Sequence, residues 1–111
     1  MKIYIINYDL RKQRDYDTLY KTIRSYQNYV HVLDSMWMIV SEDGALSIRD
    51  HLAKTMDIDD GLIVAQVTGE AAWMKLSDDA FHWLKQNLAI YSAEKRGAPP
   101  GSFYRNECLI V

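Results

Sequence analysis

The hydrophobic pattern at the start of the chain is a nearly continuous apolar run that is typical of a β-strand. The run from Lys2 to Tyr8 is rich in β-branched and aromatic residues, and it stops at the carboxylate of Asp9. Both faces of this strand are apolar, with Ile3 and Ile5 on one and Tyr4, Ile6 and Tyr8 on the other. The end of a strand holds a side chain rigidly, so Asp9 is well placed for a functional acid.

After Asp9, the spacing of apolar residues is helical in some segments and strand-like in others. Apolar residues at steps of three and four predict a helix from about Asp15 to Gln27, with Asp15 as its cap. Tyr29 to Ser41 is rich in strand formers but is interrupted at Asp34-Ser35, so it is one long bent strand or two strands. A second helix is predicted from Ala45 to Met56, and a further strand from Leu62 to Thr68.

The C-terminal third carries weaker signals. Ser77 is a suitable cap for a helix over Asp78 to Leu88. Trp73, in the stretch that follows Gly69, has a packing role as the preferred interpretation and a pocket as the alternative. Pro99 and Pro100 cannot continue a helix and indicate a linker. The chain ends in an apolar segment, residues 103–111. Two interpretations are open for it: a strand that packs against another part of the protein or a partner, or a frayed tail.

This order of elements predicts an α+β fold. We expect a ferredoxin-like βαββαβ sandwich with an extra C-terminal helix and a tail strand. The whole chain, residues 1–111, is expected to be a single domain. Residues 1–68 form the ferredoxin-like core, residues 69–91 the added helix, and residues 92–111 the linker and terminal strand.

The expected sheet has two apolar faces, and two crossover helices can cover only one of them. Leu62 and Val64 alternate with Ile63 and Ala65 in the last core strand, as in the first strand. The second face must therefore meet a partner subunit or be covered by the third helix and the tail. We expect a two-fold homodimer packed through sheet faces or edges.

The composition limits which binding partners and which cellular compartment we expect for this protein. The 111 residues carry a formal net charge of -2, so the chain has no global basic field and any nucleic acid must meet a local patch. Cys108 is a single cysteine and cannot form an internal disulfide. The chain starts with a strand rather than a leader and has no apolar run of membrane-spanning length, so we expect a cytoplasmic protein without membrane contact.

Basic residues follow Asp9 at once. Arg11, Lys12 and Arg14 are candidate nucleic-acid-binding residues that would position phosphate oxygens, and Lys21 and Arg24 would extend the patch. A solvated surface is the alternative for these charges. Asp9 itself has a structural alternative, in which its short side chain closes the turn after the strand.

Other motifs fail on spacing. Asp57 to Gly61 hints at a calcium loop, but the glycine is one position early and Thr68 stands where the bidentate glutamate belongs, so we interpret the segment as a turn. The three histidines have neither helical nor zinc-finger spacing. No phosphate-cradling glycine loop is present in the sequence.

Several short motifs together resemble a known family. They are Tyr8-Asp9-Leu10 with its basic turn, a helix ending near Ser25-Tyr26, and Leu33-Asp34-Ser35-Met36-Trp37 before a strand. Residues 1–68 are similar in this respect to the CRISPR-associated Cas2 family and to wider Cas2-like domains such as virulence-associated protein D. The resemblance implies a ferredoxin-like homodimer in which Asp9 approaches its symmetry mate. Ser35 matches a hydroxyl residue that is common after the second strand, as a possible accessory residue.

The resemblance implies two alternative functions. In the first, the paired Asp9 residues are catalytic and hold Mg²⁺ or Mn²⁺, since hard cations take oxygen ligands, and the protein is a metal-dependent endonuclease acting on RNA or DNA phosphodiesters. In the second, the dimer is a non-catalytic interaction or scaffold module. The added helix, the long tail and the slightly acidic balance depart from the family pattern.

Overall fold

The computed structural model of the chain describes residues 1–11, residues 16–88 and the backbone of residues 108–110. It has a mixed α+β fold with a four-stranded antiparallel sheet and three helices in these ranges. The chain divides into two compact units, Met1–Val67 and Thr68–Val111. The prediction of a single domain stays a prediction.

The first unit contains four strands and two helices. In chain order they are β1 (Lys2–Asp9), α1 (Asp17–Arg24), β2 (Asn28–Leu33), β3 (Met36–Ser41), α2 (Ala45–Ala53) and β4 (Gly61–Gln66). The stretch from Tyr29 to Ser41 is therefore two strands joined by a turn at Asp34-Ser35, one of the two predicted alternatives.

The strands of this unit form one sheet in the order β2-β3-β1-β4, with every neighbouring pair antiparallel. Ile6 is aligned with Trp37 of β3 on one side and with Val64 of β4 on the other. At the end of β1, Asp9 is aligned with Gly61. The two central strands β1 and β3 therefore hold the most rigid part of the sheet, and Asp9 lies where β1 meets the start of β4.

The core lies between one face of the sheet and the two helices. The amphipathic pattern of α1 buries Leu19 and Ile23, and α2 buries Ile48 and Leu52. The sheet contributes a set of buried side chains that share one face by their register: Tyr4, Ile6, Tyr8, Trp37 and Ile39. Burial of this apolar surface is the main stabilising contribution, at about 25 cal/mol per Å² removed from water.

The opposite sheet face is buried unevenly. Val30 and Met38 are aligned with each other and are buried, at 8% and 4% exposed. On β4, the edge strand of the four-stranded sheet, Ile63 is 63% exposed and Ala65 is also exposed. On this face, the β4 residues Ile63 and Ala65 therefore remain exposed to solvent.

The second unit contains two short strands and a helix. They are β5 (Ala71–Trp73), α3 (Asp78–Asn87) and β6 (Cys108–Ile110), and β5 pairs antiparallel with β6. Ser77 caps α3, because its Oγ accepts a hydrogen bond of 3.2 Å from the backbone N–H of Ala80. The predicted cap and helix are thus confirmed, and the predicted terminal strand forms over three residues. The predicted linker lies outside the described residues.

Two sequence predictions need correction. The first helix begins at Asp17 with Tyr16 at the cap position, not at Asp15, which lies outside the described residues. The stretch after Gly69 was not predicted as a strand, because its small residues Ala71 and Ala72 are weak strand formers. It becomes β5 by pairing with a segment more than thirty residues later in the sequence, a contact that local pattern does not report.

Candidate functional site

Asp9 forms an ion pair within its own turn. Its carboxylate Oδ2 accepts a hydrogen bond of 3.2 Å from Nε of Arg11, with the two side chains 72% and 59% exposed. An exposed pair of this kind contributes about 0–1 kcal/mol, because water and salt screen the charges. The charge of Asp9 is therefore partly balanced two residues away, while the carboxylate stays accessible.

Gly61 provides room for this ion pair on the neighbouring strand. A Cβ atom at position 61 would lie 3.3 Å from Nη2 of Arg11 and 3.6 Å from Cβ of Asp9. The first distance is tight enough that any side chain there would push on the guanidinium. The glycine that begins β4 thus allows Arg11 to lie close to the strand beside Asp9.

Asp60 connects three separate segments at this end of the sheet. Its Oδ1 accepts hydrogen bonds from the backbone N–H of Arg11 at 3.0 Å and from the hydroxyl of Tyr16 at 3.1 Å. Its Oδ2 accepts a bond of 2.8 Å from the backbone N–H of Asp57. Asp60 therefore holds the turn after β1, the start of α1 and the turn before β4 together.

The segment from Asp57 to Gly61, interpreted from its sequence as a turn rather than a calcium loop, contains a turn in the structure. A hydrogen bond of 3.0 Å from the backbone N–H of Asp60 to the carbonyl oxygen of Asp57 closes it.

Ser35 lies at the same end of the sheet. The backbone N–H of Tyr8 donates a hydrogen bond of 3.0 Å to the Ser35 carbonyl oxygen, and the Ser35 residue is exposed. The fold thus brings Asp9, Arg11 and Ser35 to one end of the sheet, as the sequence motifs suggested. Lys12 and Arg14 lie outside the described residues, so their part in a nucleic-acid site stays a prediction.

The described residues of one chain do not form a metal site at Asp9. In the described parts of the chain, no group of three or more His, Cys, Asp or Glu side chains is arranged to hold a cation. The Asp9 carboxylate faces the positive Arg11 guanidinium, which disfavours a second cation at the same oxygen. A divalent ion at this position would therefore need ligands besides the described residues of one chain.

A cavity of about 490 Å³ lies between the end of α2 and the start of β4, next to Asp60. Its charged lining groups are already engaged. Arg49 donates from Nε and Nη2 to the Asp50 carboxylate, and both carboxylate oxygens of Asp60 accept hydrogen bonds. Asp57 Oδ1 also accepts a hydrogen bond, from the backbone N–H of Asp59, so each charged residue described in the lining already has a hydrogen-bonding partner.

An aromatic cluster lies under the same end of the sheet, and the sequence predictions did not include it. Trp37 Nε1 donates a buried hydrogen bond of 3.0 Å to the Tyr8 hydroxyl. The Tyr20 ring lies 6.2 Å from the rings of both Tyr8 and Trp37, between centroids. His31 stacks flat on Trp37, with centroids 4.3 Å apart and planes 6° apart. The aromatic residues at alternating positions of β2 were the sequence signal for this cluster.

Burial raises the pKa of the Tyr8 hydroxyl above its ordinary value of 10.0, although the hydrogen bond from Trp37 acts in the opposite direction. Burial also raises the pKa of Tyr26, whose hydroxyl bonds to His51 Nδ1 at 3.0 Å, and the charge of Asp43 adds to the increase. Both tyrosines are therefore neutral hydrogen-bonding groups at physiological pH rather than acids or nucleophiles.

These raised values predict that the protein loses stability in strong alkali. In the unfolded chain the two tyrosines ionise at about pH 10, whereas in the folded chain they ionise only at higher pH. Their contribution is therefore fully present below pH 10 and is lost as pH rises through the folded pKa. Urea unfolding between about pH 8 and 11 should show this fall, and Tyr8→Phe should make it shallower. An unchanged slope in that variant would contradict the assignment to Tyr8.

Comparison with known proteins gives a similar fold and no family. No family model matches the chain, and no curated protein matches it. A solved structure that it resembles is the crystal structure of a hypothetical protein, TT1823, from Thermus thermophilus, with a TM-score of 0.54 and 20% sequence identity. The match covers 67% of this chain and 90% of that chain. At this identity the likeness shows the fold alone.

In the described ranges, no helix is both long and apolar enough to span a bilayer.

Proposed function

We propose that this chain is a Cas2-like protein with a ferredoxin-like core, and that its homodimer acts as a non-catalytic interaction or scaffold module. The strand order β2-β3-β1-β4, with helices after β1 and β3, supports the ferredoxin-like assignment. The observation that carries the non-catalytic role is the ion pair of Asp9 with Arg11 in its own turn. A carboxylate paired in this way serves the local structure, and no second metal ligand lies with it among the described residues.

The homodimer proposal rests on β4. Among the described residues, one side of this edge strand pairs with no other strand, and the β4 residue Ile63 is 63% exposed. Exposed edges pair readily with another chain, and an isologous contact between two β4 strands would bury Ile63 and Ala65 of both copies. Two antiparallel copies of β4 would place the two Asp9 carboxylates at opposite ends of the shared edge, because Asp9 is aligned with the first residue of β4. A metal site shared by two Asp9 residues would therefore need a different contact between the subunits.

Ile63→Lys should therefore convert the dimer into a monomer. A charge at this position would be buried and unpaired in the interface, which costs far more than the contact contributes. Light scattering coupled to size-exclusion chromatography measures the mass directly. Leu46→Lys is the matched control, because Leu46 is also 63% exposed but lies on α2. A monomeric wild-type protein, or a dimer that survives Ile63→Lys, would contradict this interface.

A metal-dependent endonuclease is the second candidate, and the accessibility of Asp9 favours it. The side chain is 72% exposed at the end of a rigid strand, and the Arg11 contact is weak enough to be displaced. Two such carboxylates in a dimer are a donor set for Mg²⁺ or Mn²⁺, which would polarise an RNA or DNA phosphodiester when bound. Arg11 would then be free to contact a phosphate oxygen.

Cleavage assays separate the two candidates. Labelled RNA and DNA would be incubated with the wild-type protein, with Mg²⁺, with Mn²⁺ or with a chelator. The scaffold proposal expects no cleavage above the chelated background, and Asp9→Asn should then leave the dimer unchanged. Metal-dependent cleavage that Asp9→Asn abolishes would overturn it in favour of the nuclease. Cleavage that persists in Asp9→Asn would remove Asp9 as the catalytic residue in either case.

A further inference from the structure

Two exposed aromatic residues lie side by side on β2, on the sheet face that carries α1 and α2. Tyr29 and His31 are two positions apart, so their rings project from the same face roughly 7 Å from each other. Tyr29 is 38% exposed and His31 is also exposed. β2 is the other edge strand of the four-stranded sheet, so no further strand in the described parts of the chain pairs with it on this side. We refer to Tyr29 and His31 as the aromatic row.

The His31 ring has a fixed orientation. One face lies flat on Trp37, which is itself only 4% exposed, at 4.3 Å between centroids. His31 Nε2 lies 3.1 Å from the backbone carbonyl oxygen of Asp34, which anchors the edge of the ring. Because Trp37 is on the inner neighbour β3, the other face of the His31 ring points away from the sheet. A planar ligand stacking there would not need to order the side chain first.

Positive charge lies next to the aromatic row. The Arg24 guanidinium carbon is 5.9 Å from the centroid of the Trp37 ring, and the Tyr29 ring is 6.2 Å from the same centroid. Lys21 lies one helical turn before Arg24 on α1, and both side chains are exposed. Arg24 and both rings of the aromatic row are therefore neighbours of the same indole, Trp37.

Flat rings beside cations match the chemistry of single-stranded nucleic acid. Unpaired bases stack on aromatic side chains, and the phosphates pair with Lys and Arg. A duplex buries its base faces in its own stack and cannot use such rings. We propose that Tyr29, His31 and Arg24 form a binding site for single-stranded nucleic acid that does not discriminate between bases. This site goes beyond the proposed function, and it depends on neither Asp9 nor the β4 interface.

Fluorescence anisotropy with labelled single strands tests the proposal. The probes are oligo-dT and oligo-rU of about fifteen nucleotides and a duplex of the same length, at low and at moderate salt. The wild-type protein should bind both single strands at least about tenfold more tightly than the duplex. Tyr29→Ala and His31→Ala should each weaken binding by about tenfold, because each removes one stacking surface. Arg24→Gln should weaken it about threefold and reduce its salt dependence.

Matched variants separate stacking from structural damage. Tyr29→Phe and His31→Tyr keep an aromatic ring and should retain binding within about twofold. Lys54→Gln removes an exposed charge at the end of α2 and should have no effect. Anisotropy is measured with a chelator present, where a metal at Asp9 contributes nothing to binding, so the binding assays and the cleavage assays can fail independently.

Three results would overturn the proposal. They are a wild-type protein that does not bind single strands, alanine variants that bind as tightly as the wild type, and tighter binding of the duplex. The first would leave the aromatic row as a contact for protein or for another copy of the chain.

Discussion

Trp37→Ala is expected to lower the free energy of unfolding by about 3–5 kcal/mol, the usual cost of removing a buried tryptophan. Trp37 is 4% exposed and contacts aromatic rings from three elements: Tyr8 on β1, Tyr20 on α1 and His31 on β2. Alanine would leave a cavity between them and remove the hydrogen bond to the Tyr8 hydroxyl. Urea unfolding followed by far-ultraviolet circular dichroism measures the loss.

Two further variants show which part of the tryptophan matters. Trp37→Phe keeps a ring but loses the indole N–H, so it should cost about 1–2 kcal/mol, mainly through the unmet hydrogen bond. Leu46→Ala, at an exposed position of α2, should stay within about 0.5 kcal/mol of the wild type. A loss below about 1 kcal/mol for Trp37→Ala would show that the aromatic cluster does not support the fold.

Asp60→Ala is expected to have the second-largest effect, a loss of about 2–3 kcal/mol. Its carboxylate accepts three hydrogen bonds, and bonds to a charged group are worth more than neutral ones. Alanine would leave the N–H groups of Arg11 and Asp57 and the Tyr16 hydroxyl without this acceptor. The turn that holds Asp9 would lose its attachment to β4, so amide hydrogen exchange should rise at Arg11 and Asp57.

Asp60→Asn and Asp59→Ala are the comparisons for this prediction. The asparagine keeps one acceptor oxygen and should recover part of the stability. Asp59 is a neighbouring exposed acid, so its replacement removes the same charge from the same turn while the three hydrogen bonds to Asp60 stay in place. Equal stability of the Asp59 and Asp60 alanine variants would show that the network at Asp60 contributes nothing specific. Any change in cleavage or dimer mass in Asp60→Ala would link this turn to the proposed function.

Local sequence was a good guide where one residue pattern dominated. The break at Asp34-Ser35 became the turn between β2 and β3, and Ser77 caps its helix as predicted. The helix ends were less accurate, since α2 stops at Ala53 although the apolar spacing continues to Met56. Apolar residues in a loop also pack on the core. The spacing of apolar residues therefore does not show where the backbone hydrogen bonds of a helix end.

The site was predictable only as a list of residues. Asp9, Arg11 and Ser35 follow from strand ends and short motifs, but their surroundings come from distant parts of the chain. Asp60 is 49 positions from Arg11 and holds its backbone in place. The stack of His31 on Trp37 requires the register between β2 and β3, which the turn and its irregularity set.

The sequence alone determined the alternation of strands and helices, the acid at the end of the first strand and the basic residues after it, because these depend on neighbours a few positions apart. Only the tertiary structure decided that Gly61 leaves space for the pair of Asp9 and Arg11, and that Arg24, Tyr29 and His31 all lie around Trp37. Those relations arise from strand order and register, which bring together residues that no local pattern connects.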